Sequence, residues 1–271
     1  MSRQYCRIGS RTIAYLDSAP GQHDLRPLLL LHAFPIGANL WEPQMRSIPS
    51  GWRLLTPDLR GFGGSTEPDS VSTLAMSDYA EDAGDLLDEL KIGRAVIGGC
   101  SMGGYATLAL YQSRPELFEG VVLANTRAGA DSPEARANRR SMLALVDREG
   151  PQGVAREMMP KLLGKNTHEH KPDAEATVRR LIKQQSPVAI RSAIHRMMHR
   201  ADSTPLLADM KIPALVITGE EDEMIPVDES RRMASAISGA TLVIIPDAGH
   251  LANLEQPEAF NTALTAFLST L

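Results

Sequence analysis

Short apolar runs recur from one end of this sequence to the other, alternating with stretches patterned for helix, and that alternation restricts the fold more than any other feature. The run at 27–32 (PLLLLH) is almost wholly apolar and bounded by turn residues, as a strand buried on both faces requires. Runs at 12–16, 52–56, 95–98, 121–124, 214–218 and 241–245 have the same character. Between them the spacing predicts helices. One covers 77–90, with Ser77 as its cap and acidic residues in its early turns. Another starts after Ser101, carries Ala106, Leu108, Ala109 and Leu110, and ends before Pro115. Strands separated by helices form a mostly parallel sheet with helices on both faces, so the expected class is α/β.

The alternation breaks once. From 127 to 205 no strand-like run occurs; Ala189, Ile190, Ala193, Ile194, Met197 and Met198 fall at helical spacing, and Pro151, Pro160, Pro172 and Pro187 are expected to punctuate several short helices. The strand pattern resumes at 214. The segment 127–205 therefore reads as a helical cap inserted into a core made of 1–126 and 206–271. It is expected to cover the carboxyl edge of the sheet, where open α/β sheets bind ligands. It is also the basic part of the chain: 15 Lys and Arg stand against nine Asp and Glu, while the whole chain has a net charge of −5. A solvated basic surface is the plain explanation, and steering of anionic ligands the sharper one.

Composition excludes several classes. With 43% hydrophobic and 23% charged residues the chain is neither disordered nor collagen-like. Its acidic balance gives no general attraction to nucleic acid or anionic membranes. Cys6 and Cys100 are too few for a disulfide framework and suit a reducing cytosol. The first fifteen residues lack the apolar stretch of a secretion signal, so a soluble cytoplasmic protein is expected.

The chemistry is concentrated at Gly99-Cys100-Ser101-Met102-Gly103-Gly104, directly after one apolar run and directly before a helix. A G-x-S-x-G at such a turn exposes the serine hydroxyl above the sheet, and glycines are needed where a Cβ would collide with neighbouring backbone. A serine nucleophile needs a base, and the base an orienting carboxylate. Asp222 and His250 each lie just beyond an apolar run, on the same edge as Ser101. Asp222 has the best register for the acid, with Glu220, Glu221, Asp228 and Asp247 as competitors. The backbone N–H groups of Met102 and Phe34 are the expected oxyanion donors. His32 is expected to be a structural histidine beneath the turn. Trp41, Met197, Met198, Met224 and Leu251 are the expected pocket lining. Five of the twelve methionines lie in the cap segment, suited both to adaptable core packing and to a pocket for apolar acyl chains. His195 and His199, at i and i+4, and His168 and His170 nearby lack the remaining ligands of a zinc site, so no metal is expected.

Taken together, LLLHAFP (29–35), DLRGFGGS (58–65), GCSMGGY (99–105), TGEEDEMIP (218–226) and DAGHLANLEQPEAF (247–260) resemble the α/β-hydrolase superfamily, in its branch of small bacterial esterases, lactonases and cofactor-free perhydrolases. The resemblance covers nearly the whole chain outside the cap segment. It implies an eight-stranded sheet, Ser101, Asp222 and His250 as a catalytic triad, Phe34 and Met102 as oxyanion donors, and no cofactor. His32-Ala33-Phe34 departs from the His-Gly-x of many relatives but leaves the donor intact. Members such as haloalkane dehalogenases and epoxide hydrolases carry aspartate at the nucleophile, whereas Ser101 directs the chemistry to acyl transfer. The implied substrate is a small carboxylic ester or a lactone, with acyl-homoserine lactones and enol-lactones among the compatible classes. Perhydrolysis and carbon–carbon bond hydrolysis are alternatives on the same fold, and a non-catalytic ligand receptor is the alternative from another class. A homo-oligomer is compatible with the sequence.

Overall fold

The computed structural model describes residues 2–66 and 74–271; Met1, where the N-terminal stretch read above begins, and residues 67–73 lie outside them. Eight strands form one sheet: β1 (Gln4–Ile8), β2 (Arg11–Asp17), β3 (Arg26–Leu31), β4 (Trp52–Pro57), β5 (Ala95–Cys100), β6 (Phe118–Ala124), β7 (Ala214–Gly219) and β8 (Thr241–Ile245). Their spatial order is β1-β2-β4-β3-β5-β6-β7-β8; β2 runs antiparallel to β1 and β4, and the other pairs are parallel. The apolar runs account for seven strands. They missed β1, whose residues alternate between exposed and half-buried at the sheet edge and so carry no buried run.

The helices are α1 (Glu42–Arg46), α2 (Ser77–Glu89), α3 (Met102–Ser113), α4 (Pro133–Leu162), α5 (Lys165–His170), α6 (Pro172–Lys183), α7 (Pro187–Met198), α8 (Thr204–Leu207), α9 (Val227–Ala236), α10 (Ala252–Glu255) and α11 (Pro257–Leu268). The chain moves from β3 outward to β4, then returns past β3 to β5 and continues the other way. Right-handed crossovers therefore put α1 on one face and α2 and α3 on the other. The reversal point lies between β3 and β5, where the loops leaving their carboxyl ends diverge and open a crevice.

Five helices, α4 to α8, lie between β6 and β7. Pro172 and Pro187 occupy the first positions of α6 and α7, where the missing N–H costs nothing. Pro151 follows a break in α4 at Gly150, whose φ is 60°. Pro160 does not punctuate: it sits inside the last turns of α4. Ser77 is not the cap of α2. Met76 holds that position and Ser77 is the first helical residue, while the Asp78 carboxylate accepts the Ala75 N–H at 3.2 Å. Among the described residues, no helix is long and apolar enough to cross a membrane.

Candidate active site

Ser101 stands between β5 and α3 with φ 53° and ψ −112°, a conformation that side chains other than glycine rarely adopt. Its surroundings impose that backbone. A Cβ on Gly99 would lie 2.3 Å from the Gly103 carbonyl carbon, and one on Gly103 would lie 2.2 Å from the Leu31 carbonyl oxygen. The strand, the helix and β3 thus approach closer than any side chain allows. Hydrogen bonds fix the turn further: the Ser101 N–H donates to the Ala124 carbonyl at 2.9 Å, and the Thr126 hydroxyl to the Ser101 carbonyl at 2.8 Å.

Asp222, three residues past β7, and His250, five past β8, converge on this turn. The Ser101 hydroxyl lies 2.8 Å from His250 Nε2, and His250 Nδ1 lies 2.8 Å from Asp222 Oδ2. With Nδ1–H donating to the carboxylate, Nε2 is free to accept the serine proton. Asp222 Oδ1 accepts the N–H groups of Met224 and Ile225, both at 2.9 Å, and Oδ2 accepts from the Asn125 amide at 2.9 Å. Burial alone would raise the Asp222 carboxyl, but His250, Asn125 and the Ile225 N–H outweigh it and hold it below the usual carboxylate range. The competing acids are elsewhere: Glu221, for example, accepts the Asn166 N–H at 3.2 Å.

A cavity of about 610 Å³ opens over Ser101 and His250. Phe34, Met142, Leu145, Met158, Met197 and Met224 contribute apolar wall, and Arg127, Arg139, Arg148, Lys161, Glu157 and Glu223 charged wall. Two expected pocket residues, Met197 and Met224, therefore line it. Trp41, Met198 and Leu251 do not. Trp41 is wholly buried against Phe260, with ring centroids 5.9 Å apart; Leu251 is wholly buried before α10; Met198 follows Met197 on α7, about 100° around the helix. Of the five methionines in segment 127–205, Met142, Met158 and Met197 line the cavity while Met159 and Met198 pack inside. Phe34 lies in the loop after β3 and Met102 opens α3, so their N–H groups come from the two sides of the crevice between β3 and β5. Met102 is the first residue of α3, a position whose N–H has no acceptor within the helix.

The sequence profile of the family described as alpha/beta hydrolase fold matches residues 26–257. This chain belongs to the α/β-hydrolase family. Over 248 residues the α/β-hydrolase is 29% identical to 3-oxoadipate enol-lactonase 2 of Acinetobacter baylyi, spanning 92% of this chain and 90% of that protein. Among solved structures it is similar to a thermophilic esterase from Thermogutta terrifontis studied with malate bound, with a TM-score of 0.91 and 36% identity over 100% of this chain and 99% of that one. The enol-lactonase from Burkholderia xenovorans LB400 is also similar, with a TM-score of 0.89 and 28% identity over 98% of this chain and 100% of that one.

Several residues of this α/β-hydrolase's site escaped the sequence reading. Asn125 follows β6 at φ 43° and bonds both Asp222 and the Gly249 carbonyl, the latter at 3.1 Å. An asparagine directly after an apolar run, on the edge that carries Ser101, Asp222 and His250, is the signal that could have found it. Glu255 is wholly buried yet ionisable: Oε1 accepts the N–H groups of Gly249 and Leu251, each at 3.0 Å, on either side of His250. Its Oε2 accepts from the Gly164 N–H and the Thr167 hydroxyl, each at 2.7 Å, in the helical segment. One carboxylate thus ties the histidine loop to α5. His32 uses both ring nitrogens structurally. Nδ1–H donates to the Ala33 carbonyl at 3.0 Å, Nε2 accepts the Leu59 N–H at 2.9 Å, and burial pushes its pKa down. His195 and His199 stack 6.4 Å apart, and among the described residues no group of three His, Cys, Asp or Glu side chains is placed to hold a metal ion.

Proposed function

We propose that this chain is a serine hydrolase of carboxylic esters or lactones, with Ser101 as nucleophile, His250 as general base and acid, and Asp222 as the carboxylate that orients His250. One observation carries the reading: the continuous chain of 2.8 Å contacts from Ser101 Oγ through His250 to Asp222, at a backbone turn strained to expose the serine. His250 Nε2 takes the hydroxyl proton as Ser101 Oγ attacks the carbonyl carbon, and Asp222 stabilises the imidazolium that forms. The Met102 and Phe34 N–H groups receive the oxyanion, assisted by the positive end of α3. His250 then protonates the leaving alcohol oxygen, which departs, or in a lactone stays tethered to the acyl group. A water gives its proton to His250 and attacks the acyl-enzyme; collapse of that second tetrahedral species releases the acid and returns the proton to Ser101.

The segment 127–205 acts in this reading as a cap, since α4 and α7 supply most of the apolar wall over the nucleophile. The similarity to an esterase and to enol-lactonases supports ester or lactone substrates over other acyl donors. Treatment with a fluorophosphonate is expected to label wild-type protein on Ser101 and to leave Ser101→Ala unlabelled. A wild-type chain that takes up no label overturns the assignment.

A further inference from the structure

The cavity over Ser101 carries surplus positive charge whose source takes no part in the hydrolytic steps. Asp131, just before α4, has a side chain wholly shielded from solvent and receives three guanidinium groups: Arg127 Nη2 at 2.9 Å, Arg200 Nη1 at 2.6 Å, and Arg139 Nε. Burial pushes the Asp131 carboxyl up, but Arg139 and Arg200 outweigh it and hold it down at about 2. The carboxylate is therefore ionised at neutral pH, and arginine does not give up its proton. One negative charge faces three positive ones, so the cluster keeps a net charge of about +2.

Arg200 is occupied. It lies over the Tyr105 ring at 4.0 Å and donates to the Met197 and Gly129 carbonyls at 3.0 and 2.7 Å. Arg127 and Arg139 instead line the cavity that holds Ser101 and His250. The other charges on the wall do not cancel them. Glu157 and Glu223 are matched in number by Lys161 and Arg148, and the Glu149 carboxylate that pairs with Arg148 at 2.7 Å is itself matched by Arg156.

We infer that Arg127 and Arg139 form an anion-recognition subsite, and that the preferred substrates are esters or lactones bearing a free carboxylate away from the carbonyl that Ser101 attacks. This rests on the hydrolase reading above. A planar guanidinium fork matches a carboxylate in geometry, and a cavity partly closed from water strengthens the pairing. An alkyl chain in the same place would cover these guanidinium donors without pairing them, so the subsite also discriminates against neutral acyl groups. It gives the basic composition of segment 127–205 a local purpose, because Arg127 and Arg139 both belong to it.

The test compares monoethyl adipate with ethyl hexanoate, which share acyl length and leaving group, by following acid release in a pH-stat. Wild-type kcat/KM is expected to favour the adipate by about 10- to 100-fold, the range of a charge-assisted contact, with the preference falling as salt rises. Arg139→Gln and, separately, Arg127→Gln are expected to bring the ratio toward unity, mainly through KM for the adipate. Free adipate is expected to inhibit hexanoate hydrolysis by the wild type far more strongly than hexanoate does. Turnover of ethyl hexanoate with a wild-type ratio at or below one overturns the subsite alone. So do substitutions that lower both esters in equal proportion. Absence of turnover together with no fluorophosphonate label on Ser101 overturns the hydrolase reading and the subsite with it.

Discussion

Replacing Glu255 by glutamine should cost this protein about 2–4 kcal/mol, although it changes a single oxygen to an NH2 group. The wild-type carboxylate is wholly buried and accepts from four donors, two N–H groups on Oε1 and an N–H with a hydroxyl on Oε2. A glutamine can accept only on its oxygen. Its cheaper orientation keeps that oxygen toward Gly249 and Leu251 and turns the NH2 toward Thr167, whose hydroxyl can rotate to accept, and Gly164, whose N–H cannot. One buried N–H is then orphaned, costing about 1–3 kcal/mol, and the remaining bonds lose their charge assistance. The relief of no longer burying a charge offsets part of this, because the wild-type carboxylate is fully hydrogen-bonded and its desolvation largely compensated. For a chain of this size the net loss lowers Tm by about 5–15 °C. Alanine orphans all four donors and should approach the total stability of a domain, about 5–15 kcal/mol, so glutamine is the informative change. Urea denaturation of wild type and Glu255→Gln measures it. Equal midpoints with equal m-values would refute the accounting, because they would mean that the four contacts do no more than cancel the desolvation of the charge.

Other outcomes follow from the same geometry. Asp222→Asn should leave the fold intact and reduce kcat by about 10³- to 10⁴-fold, because the amide no longer holds the imidazole tautomer that presents Nε2 to Ser101; circular dichroism and ester turnover check the two halves. Gly103→Ala should yield little folded protein, since its Cβ would meet the Leu31 carbonyl oxygen at 2.2 Å, whereas Gly93→Ala, with nothing within 4 Å, should stay within about 0.5 kcal/mol of wild type in the same denaturation assay. The Asp131 carboxyl, held at about 2 against an ordinary 3.8, adds stability at pH values above the unfolded-state pKa that is lost as the pH falls from about 4 toward 2. In Asp131→Asn that part of the pH dependence of the urea midpoint should flatten.

The strands could be read from the sequence wherever burial on both faces wrote a continuous apolar run, as in β3 or β6, and the Ser101 turn because backbone crowding forces glycines around it. His250 and Asp222 were legible because each follows such a run on the carboxyl edge. What stayed hidden depends on contacts between distant segments. Asn125 acquires its role only when β6, β7 and β8 are set side by side, so that its amide reaches Asp222 and Gly249. The Arg127–Asp131–Arg139 spacing is visible along the chain, but the third cation, Arg200, arrives from 69 residues away. Trp41 and Leu251 were misplaced because the sequence does not show which way a loop side chain faces, and both face the interior.

The placement of the two cysteines turns the chain into its own unfolding gauge. Cys100 ends β5 at the centre of the sheet, directly before Ser101, and burial, with Asp222 and Glu255 adding to it, pushes its thiol far above the ordinary cysteine range. A protonated, enclosed thiol is inert to alkylating agents and mild oxidants. Cys6 sits half-buried on the edge strand β1. Alkylation at Cys6 therefore times the fraying of the edge, and alkylation at Cys100 times the opening of the strand that leads into Ser101. Followed beside the decay of activity in one sample, the two rates separate inactivation that begins in the helices over the site from inactivation that begins in the sheet.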